Sequence, residues 1–289
     1  MTPAPPRETA SQALRLLGPA AEERGWRVDP DPDTHHAAML RVPIAEPDGS
    51  GAGERLWPIY ASDVGLNTAA AARLAADKLM QHRVLDSAGL PTLPAVEFTR
   101  RQAERCEPPP GFDVPVVVKP NTGSGGRGVS VVRERNRLRA AWTAAADADR
   151  RPHHDRPPIV LAQRHDPRPE ARVLVLEGRV LAAFAKHPEM TGGPANLSAG
   201  AEWTDATADL SPVHGDLSAC ATAALGLTFA AADLLHDPVC AGDAPTVLEV
   251  NASPGLRALD ALPADRRSAI AGSILDAIAT AAAARGPGS

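Results

Sequence analysis

Residues 116–132, VVVKPNTGSGGRGVSVV, constrain this chain more than any other stretch. Three valines lead into Lys119 and Pro120, a loop runs from Asn121 to Gly128, and a second β-branched run begins at Val129. Valine runs on both sides of a Gly/Ser loop predict strand, loop, strand. Gly123, Gly125, Gly126 and Gly128 leave backbone N–H groups free to approach an anion, beside Ser124. Lys119 supplies a positive charge where the entering strand ends. The stretch reads as a lid over the phosphates of a nucleotide; the plain alternative is a glycine-rich hairpin turn. Gly123, Gly125 and Gly128 also satisfy G-x-G-x-x-G, but that fingerprint needs a helix to open after the glycines, and strand residues follow here. A P-loop is excluded because its lysine would close the loop rather than precede it.

The balance of 30 basic and 35 acidic residues leaves a net charge of −5, which favours neither nucleic acid nor an anionic membrane surface. No apolar run is long enough to span a bilayer, and the first residues carry no signal-peptide h-region. Cys106, Cys220 and Cys240 are well separated and lack metal-ligand spacing, as in a reduced, cytoplasmic protein. Only Lys78, Lys119 and Lys186 among the basic residues are lysine. In so arginine-biased a chain a retained lysine suits a compact site that needs an ammonium rather than a guanidinium.

In chain order, residues 7–25 suit an amphipathic helix that Gly18-Pro19 can break, and three short strands follow within residues 26–60. His35-His36 read as loop residues rather than a metal site. Asp77 can cap a helix over 78–87, which places Lys78 in its first turn. A strand at 95–98, a helix at 100–104, the central strand, a helix at 134–148 and a strand at 159–163 come next. Residues 170–176 and 179–186 form a hairpin about Glu177-Gly178, with Glu170 and Arg172 on one face and Lys186 at its end. A loop at 191–200, a helix at 217–225, strands at 228–235 and 246–250, and a closing helix at 264–284 complete the chain. The segmentation is a shortened N-terminal α/β layer (1–66), a linker and central lid subdomain (67–162), a C-terminal subdomain (163–285) and a tail (286–289).

Glu249 and Asn251, two apart on a strand, face the same way. Asp233, on a strand able to pair with theirs, adds a second carboxylate. Two carboxylates and an amide oxygen are hard ligands suited to Mg²⁺ carrying a nucleotide's phosphates. The plain alternative is a strand-end acid followed by a turn asparagine.

The ordered set Asp77-Lys78, VVVKPNTGSGGRGV, PEARVLVLEGRVLAAFAKHP, ADLL and VLEVNASPG resembles the ATP-grasp carboxylate–amine ligases, most closely the cyanophycin synthetase and glutathione synthetase type. The resemblance covers residues 60–257 and implies an α/β (α+β) fold in which two subdomains grip ATP. It implies that Lys78 and Lys119 hold ATP phosphates under the loop Gly123–Gly128, that Gln163, Arg164 and His165 form the hinge whose backbone reads adenine, and that Glu170 binds ribose. It implies that Asp233, Glu249 and Asn251 hold two Mg²⁺ ions and that Arg172 and Lys186 face the transferred phosphoryl group. Asn196, Ser253, Pro254 and Gly255 would bind substrate. The hinge departs from the family pattern in having no glycine, and Lys186 stands where many relatives carry arginine. The implied activity is amide-bond formation between a small carboxylate and an amine, such as amino acids or a short peptide, through an acyl phosphate. A phosphotransferase, an intramolecular cyclase and a non-catalytic ATP-binding module are the alternatives, and the pattern leaves room for a homodimer.

Overall fold

A computed structural model describes residues 11–31, 33, 37–45, 52–149, 157–187, 202–235 and 244–285. His35, His36, Asn196 and Cys240 lie outside the described residues. The chain divides into two compact units, Met1–Thr68 with Ser253–Ser289, and Ala69–Ala252.

The first unit opens with helix α1 (Gln12–Glu23), capped by Ser11, whose side chain accepts from the Leu14 N–H. The helix runs through Pro19 rather than breaking there. Pro19 is exposed while Ala13, Leu17 and Ala21 are buried, so the lost backbone bond falls on the solvent side. Strands β1 (Arg27–Pro30), β2 (Ala37–Ala45) and β3 (Ala52–Tyr60) form an antiparallel sheet in sequence order. Alternation sends Leu40, Val42, Trp57 and Ile59 inward and Met39, Leu56 and Tyr60 outward.

The second unit begins with helices α2 (Ala69–Ala76) and α3 (Lys78–Ser87), then β4 (Ala95–Glu97) and α4 (Arg100–Glu104). Strands β5 (Val116–Pro120) and β6 (Ser130–Val132) bracket the glycine loop, with helix α5 (Leu138–Ala148) after them. Strands β7 (Val160–Arg164), β8 (Glu170–Leu176), β9 (Arg179–His187) and β10 (Glu202–Asp205) come next. Helix α6 (Pro212–Ala224) starts at a proline behind Ser211, ahead of the expected start. Strands β11 (Phe229–Leu235) and β12 (Thr246–Asn251) end the unit. They build two antiparallel sheets, β4-β7-β5-β6 and β10-β9-β8-β11-β12.

Each sheet is apolar on one face. Val116, Val118, Val160 and Ala162 pack with Leu138, Ala141 and Ala145 of α5. Val173, Val175, Ala230, Ala232 and Leu234 pack with Leu217, Ala221 and Leu225. The period of two then sends the intervening residues to the other face, which is how Lys119, Arg172 and Asp233 leave the apolar layers.

Chain tracing returns to the first unit for helix α7 (Ala264–Ala284). Sequence order assigns this helix to the C-terminal subdomain, yet its contacts group it with the N-terminal layer. Its buried residues Ile270, Ile274, Leu275 and Ile278 lie where α7 packs on α1 and β2. The thin N-terminal sheet gains from α7 the apolar cover it lacks by itself.

Gly128 ties the glycine loop to α5. Its φ is +70°, and a Cβ there would lie 2.6 Å from the Ala148 Cβ and 2.9 Å from the Ala144 carbonyl oxygen. Gly128→Ala is expected to cost about 1–3 kcal/mol, from overpacking added to a left-handed backbone. A urea midpoint equal to that of the wild type would contradict this.

Candidate functional site

The site grows from the polar face of the five-stranded sheet. Across β9, β8, β11 and β12 the register aligns Phe184 with Arg172, Arg172 with Asp233, and Asp233 with Glu249. One step along, Glu170 faces Lys186. Directly opposed residues share a sheet face, so these side chains converge. Arg172 grips Asp233 with two parallel bonds, Nε to Oδ1 and Nη2 to Oδ2, each 2.7 Å. Lys186 Nζ lies 3.0 Å from both Glu170 Oε2 and Asp233 Oδ1. The Asn251 amide donates to Glu249 Oε1 at 3.2 Å and to Asp233 Oδ2 at 3.4 Å.

Asp233 is 1% exposed. Burial alone would raise its pKa, but Arg172 and Lys186 overcome burial and hold it at about 2. The Glu249 carboxyl is likewise held below its ordinary value, burial being outweighed by Lys78, Lys119 and Lys186 despite repulsion from Asp233.

Lys78 begins α3, and its ammonium donates to the Gly123 carbonyl at 2.8 Å. A cation in the first turn of a helix opposes the macrodipole, so helix stability does not account for it. Asp77 caps the helix by accepting from the Met80 N–H. Three polar residues that sequence reasoning passed over fix α3 and the loop. Asn121 accepts from the Leu79 N–H through Oδ1 and from the Lys78 N–H through its carbonyl. Gln81, buried, donates to the Val250 carbonyl and accepts from the Val250 N–H, pinning α3 to β12. Asp149 accepts from the Thr122 N–H and hydroxyl at 3.0 and 2.6 Å.

Lys119, on β5, is 6% exposed and donates to Gln163 Oε1 at 2.7 Å. Burial, aided by Lys78 and opposed by Glu249 and Glu170, lowers its pKa to about 8. Gln163, whose backbone is expected at the adenine hinge, is buried, and its side chain accepts from Lys119. Arg164 is exposed, and its N–H donates to the Pro94 carbonyl. His165 is half-buried beyond it. Ser253, Pro254 and Gly255 belong to the first unit, where the Ser253 carbonyl accepts from the Ser62 hydroxyl. Gly123, Gly125, Gly126 and Gly128 all have positive φ, and Ser124 is exposed between the first two.

Among the described residues no three His, Cys, Asp or Glu side chains form a metal cluster. The donor set is instead two opposed carboxylates joined through one amide. Hard oxygens of this kind fit Mg²⁺, which retains waters and takes phosphate oxygens to complete its shell.

Two antiparallel sheets, one bearing the glycine loop and the other the cluster of acids and cations, belong to an ATP-grasp fold. Residues 75–278 match the RimK-like ATP-grasp domain, and the chain belongs to that family. A bifunctional glutathione synthetase from Pasteurella multocida superposes with a TM-score of 0.59 at 15% identity, over 93% of this chain and 43% of that one. The ATP-grasp ligase PsnB, solved with a minimal precursor, Mg and ADP, gives 0.52 at 17% identity, over 73% of this chain and 61% of its own. D-alanine–D-alanine ligase from Bacillus anthracis gives 0.53 at 20% identity, over 75% and 70%. This chain therefore spans less than two-thirds of the glutathione synthetase and of PsnB. No curated protein sequence matches it. Among the described residues no helix is long and apolar enough to cross a membrane.

Proposed function

We propose that the protein is an ATP-dependent ligase that joins a small carboxylate to an amine. The observation that carries this reading is the row Arg172–Asp233–Glu249 with Lys186 beside it, which presents fixed cations next to a buried acid pair. The substrate carboxylate attacks the γ-phosphorus of ATP, the bond to ADP breaks, and an acyl phosphate forms. The amine then attacks the acyl carbon, and inorganic phosphate leaves with the C–O bond electrons. A carboxylate is a poor electrophile, and the phosphoryl group makes its oxygen able to leave.

The chain's own part is positioning and charge. Lys78 and Lys119 hold the ATP phosphates beneath the loop Gly123–Gly128, and Arg172 and Lys186 face the group in transfer. Asp233, Glu249 and Asn251 would hold Mg²⁺, one ion or two, whose chemistry is to neutralise the phosphate oxygens. Glu170, 27% exposed in its side chain, bonds Lys186, and we assign it to the ribose. For the adenine hinge we keep the backbone of Gln163, Arg164 and His165, the Gln163 side chain also accepting from Lys119. Asn196 and Ser253–Gly255 stay as substrate candidates, amino acids or a short peptide as substrates, and the cytoplasm as the place of action.

The test is a phosphate-release screen over pairs of amino acids and short peptides, with products read by mass. ADP, phosphate and a new intermolecular amide support the reading. A stable phosphorylated product or a ring would replace it with the phosphotransferase or the cyclase. ATP binding without turnover on any pair would replace it with the binding module.

Lys119 sets the alkaline limb. Its charge is present below pH about 8 and lost above, so kcat/KM for ATP is expected to fall about tenfold per pH unit beyond that point. At saturating ATP the bound phosphates favour the ammonium, so kcat should hold to higher pH. Lys119→Arg should remove the limb, because a guanidinium stays charged. A flat kcat/KM profile to pH 10 would remove Lys119 from phosphate binding.

A further inference from the structure

Trp203, on β10, stands opposite Lys186 in the sheet register. It is 8% exposed, and its ring lies under two cations at once: the Arg172 guanidinium carbon is 4.8 Å from the ring centroid and Lys186 Nζ is 5.2 Å away. Both fall within cation–π range. Phe184, the cross-strand partner of Arg172, packs against the same ring with centroids 6.4 Å apart. The Trp203 indole Nε1–H is buried and has no hydrogen-bond partner among the described residues. A buried donor left unpaired is costly, and a functional site is one of the few places where it persists.

We propose that Trp203 is a further binding and positioning residue of the ligase site. Its ring face holds Arg172 and Lys186 where the transferred phosphoryl group arrives, and its N–H is kept for an anionic oxygen bound beside them. The inference rests on the reading of Arg172 and Lys186 given above. Asp233 alone would draw both cations toward the metal-binding acids, and a π face on their other side opposes that pull without adding a negative charge that would repel phosphate. The N–H lies in the ring plane, so the oxygen it serves sits at the ring edge, not between ring and cations. The ligand class is a phosphoryl or acyl-phosphate oxygen.

The experiment uses the full chain with ¹⁵N-labelled indoles, the Trp203 signal being assigned by its loss in Trp203→Phe. MgADP with vanadate is the probe, standing for the phosphoryl group in transfer. The Trp203 N–H signal is expected to move downfield and exchange more slowly with the probe than with MgADP alone. For turnover, Trp203→Phe keeps a ring and loses the donor, and is expected to lower kcat about tenfold with the KM for ATP unchanged. Trp203→Leu loses both and should fall about tenfold further. An indole signal unmoved by the probe, or Phe and Leu variants that turn over like the wild type, would overturn the proposal. If Trp203→Leu fails to fold, Trp203→Phe and the indole titration decide alone. A protein that turns over no carboxylate–amine pair ends the ligase reading, whereas the indole titration still reports on Trp203.

Discussion

Arg172→Met is expected to lower kcat by about 10²–10³-fold, the loss typical when one preorganised donor to developing charge is removed. Arg172 is held by Asp233 in a two-bond fork over the ring of Trp203, so its charge has a fixed position before any substrate binds. That fixity is what makes the loss fall on kcat: with Lys78 and Lys119 as the proposed phosphate ligands, the KM for ATP should change by no more than about threefold. Arg172→Lys restores a charge but not the fork, and should recover only part of the rate. The Asp233–Lys186 contact survives both changes, so the fold should persist. Equal loss in KM and none in kcat would assign Arg172 to ground-state binding instead.

Asp233→Asn should be the most destabilising single change in the second unit. It leaves Arg172 and Lys186 buried against a neutral amide, and breaking a buried pair from one side costs about 3–5 kcal/mol. The pH dependence follows from the depressed carboxyl. Asp233 is at about 2 in the fold against 3.8 ordinarily, so its contribution is complete above pH about 4 and disappears as pH falls toward 2. Denaturant titrations of wild type and variant should therefore run parallel at pH 5–8 and converge in acid. A second readout concerns the metal: MgADP should raise the thermal midpoint of the wild type far more than ADP with EDTA, and that increment should vanish in Asp233→Asn. A variant that keeps the full Mg²⁺ increment would remove Asp233 from the metal site.

Much of the site could be read from the chain because its chemistry is carried by local patterns. Strand, loop and strand around Lys119, the hairpin bearing Glu170 and Arg172, and the opposition of Asp233 to Glu249 follow from alternation over short distances. What escaped was set by pairings far apart in sequence. The side-chain partner of Gln163 is hidden until β7 is seen beside β5, where its amide meets Lys119. Trp203 sits on a four-residue strand after a Gly/Pro loop, too short a run for alternation to show, and only pairing with β9 reveals it. Gln81 and Asn121 read as ordinary helix and loop polar residues, and their roles exist only once α3 meets β12 and the loop. The closing helix carries an apolar face, and nothing local says which sheet that face covers.

Both feet of the glycine loop stand on the same end of α5. Thr122 is bonded to Asp149, just past the helix, and Gly128 is seated on Ala144 and Ala148. The five residues between these anchors could reach about 17 Å if drawn straight, and an arch tethered at both ends rises to less than half of that. Such an arch can move only with the end of α5 that carries both its feet.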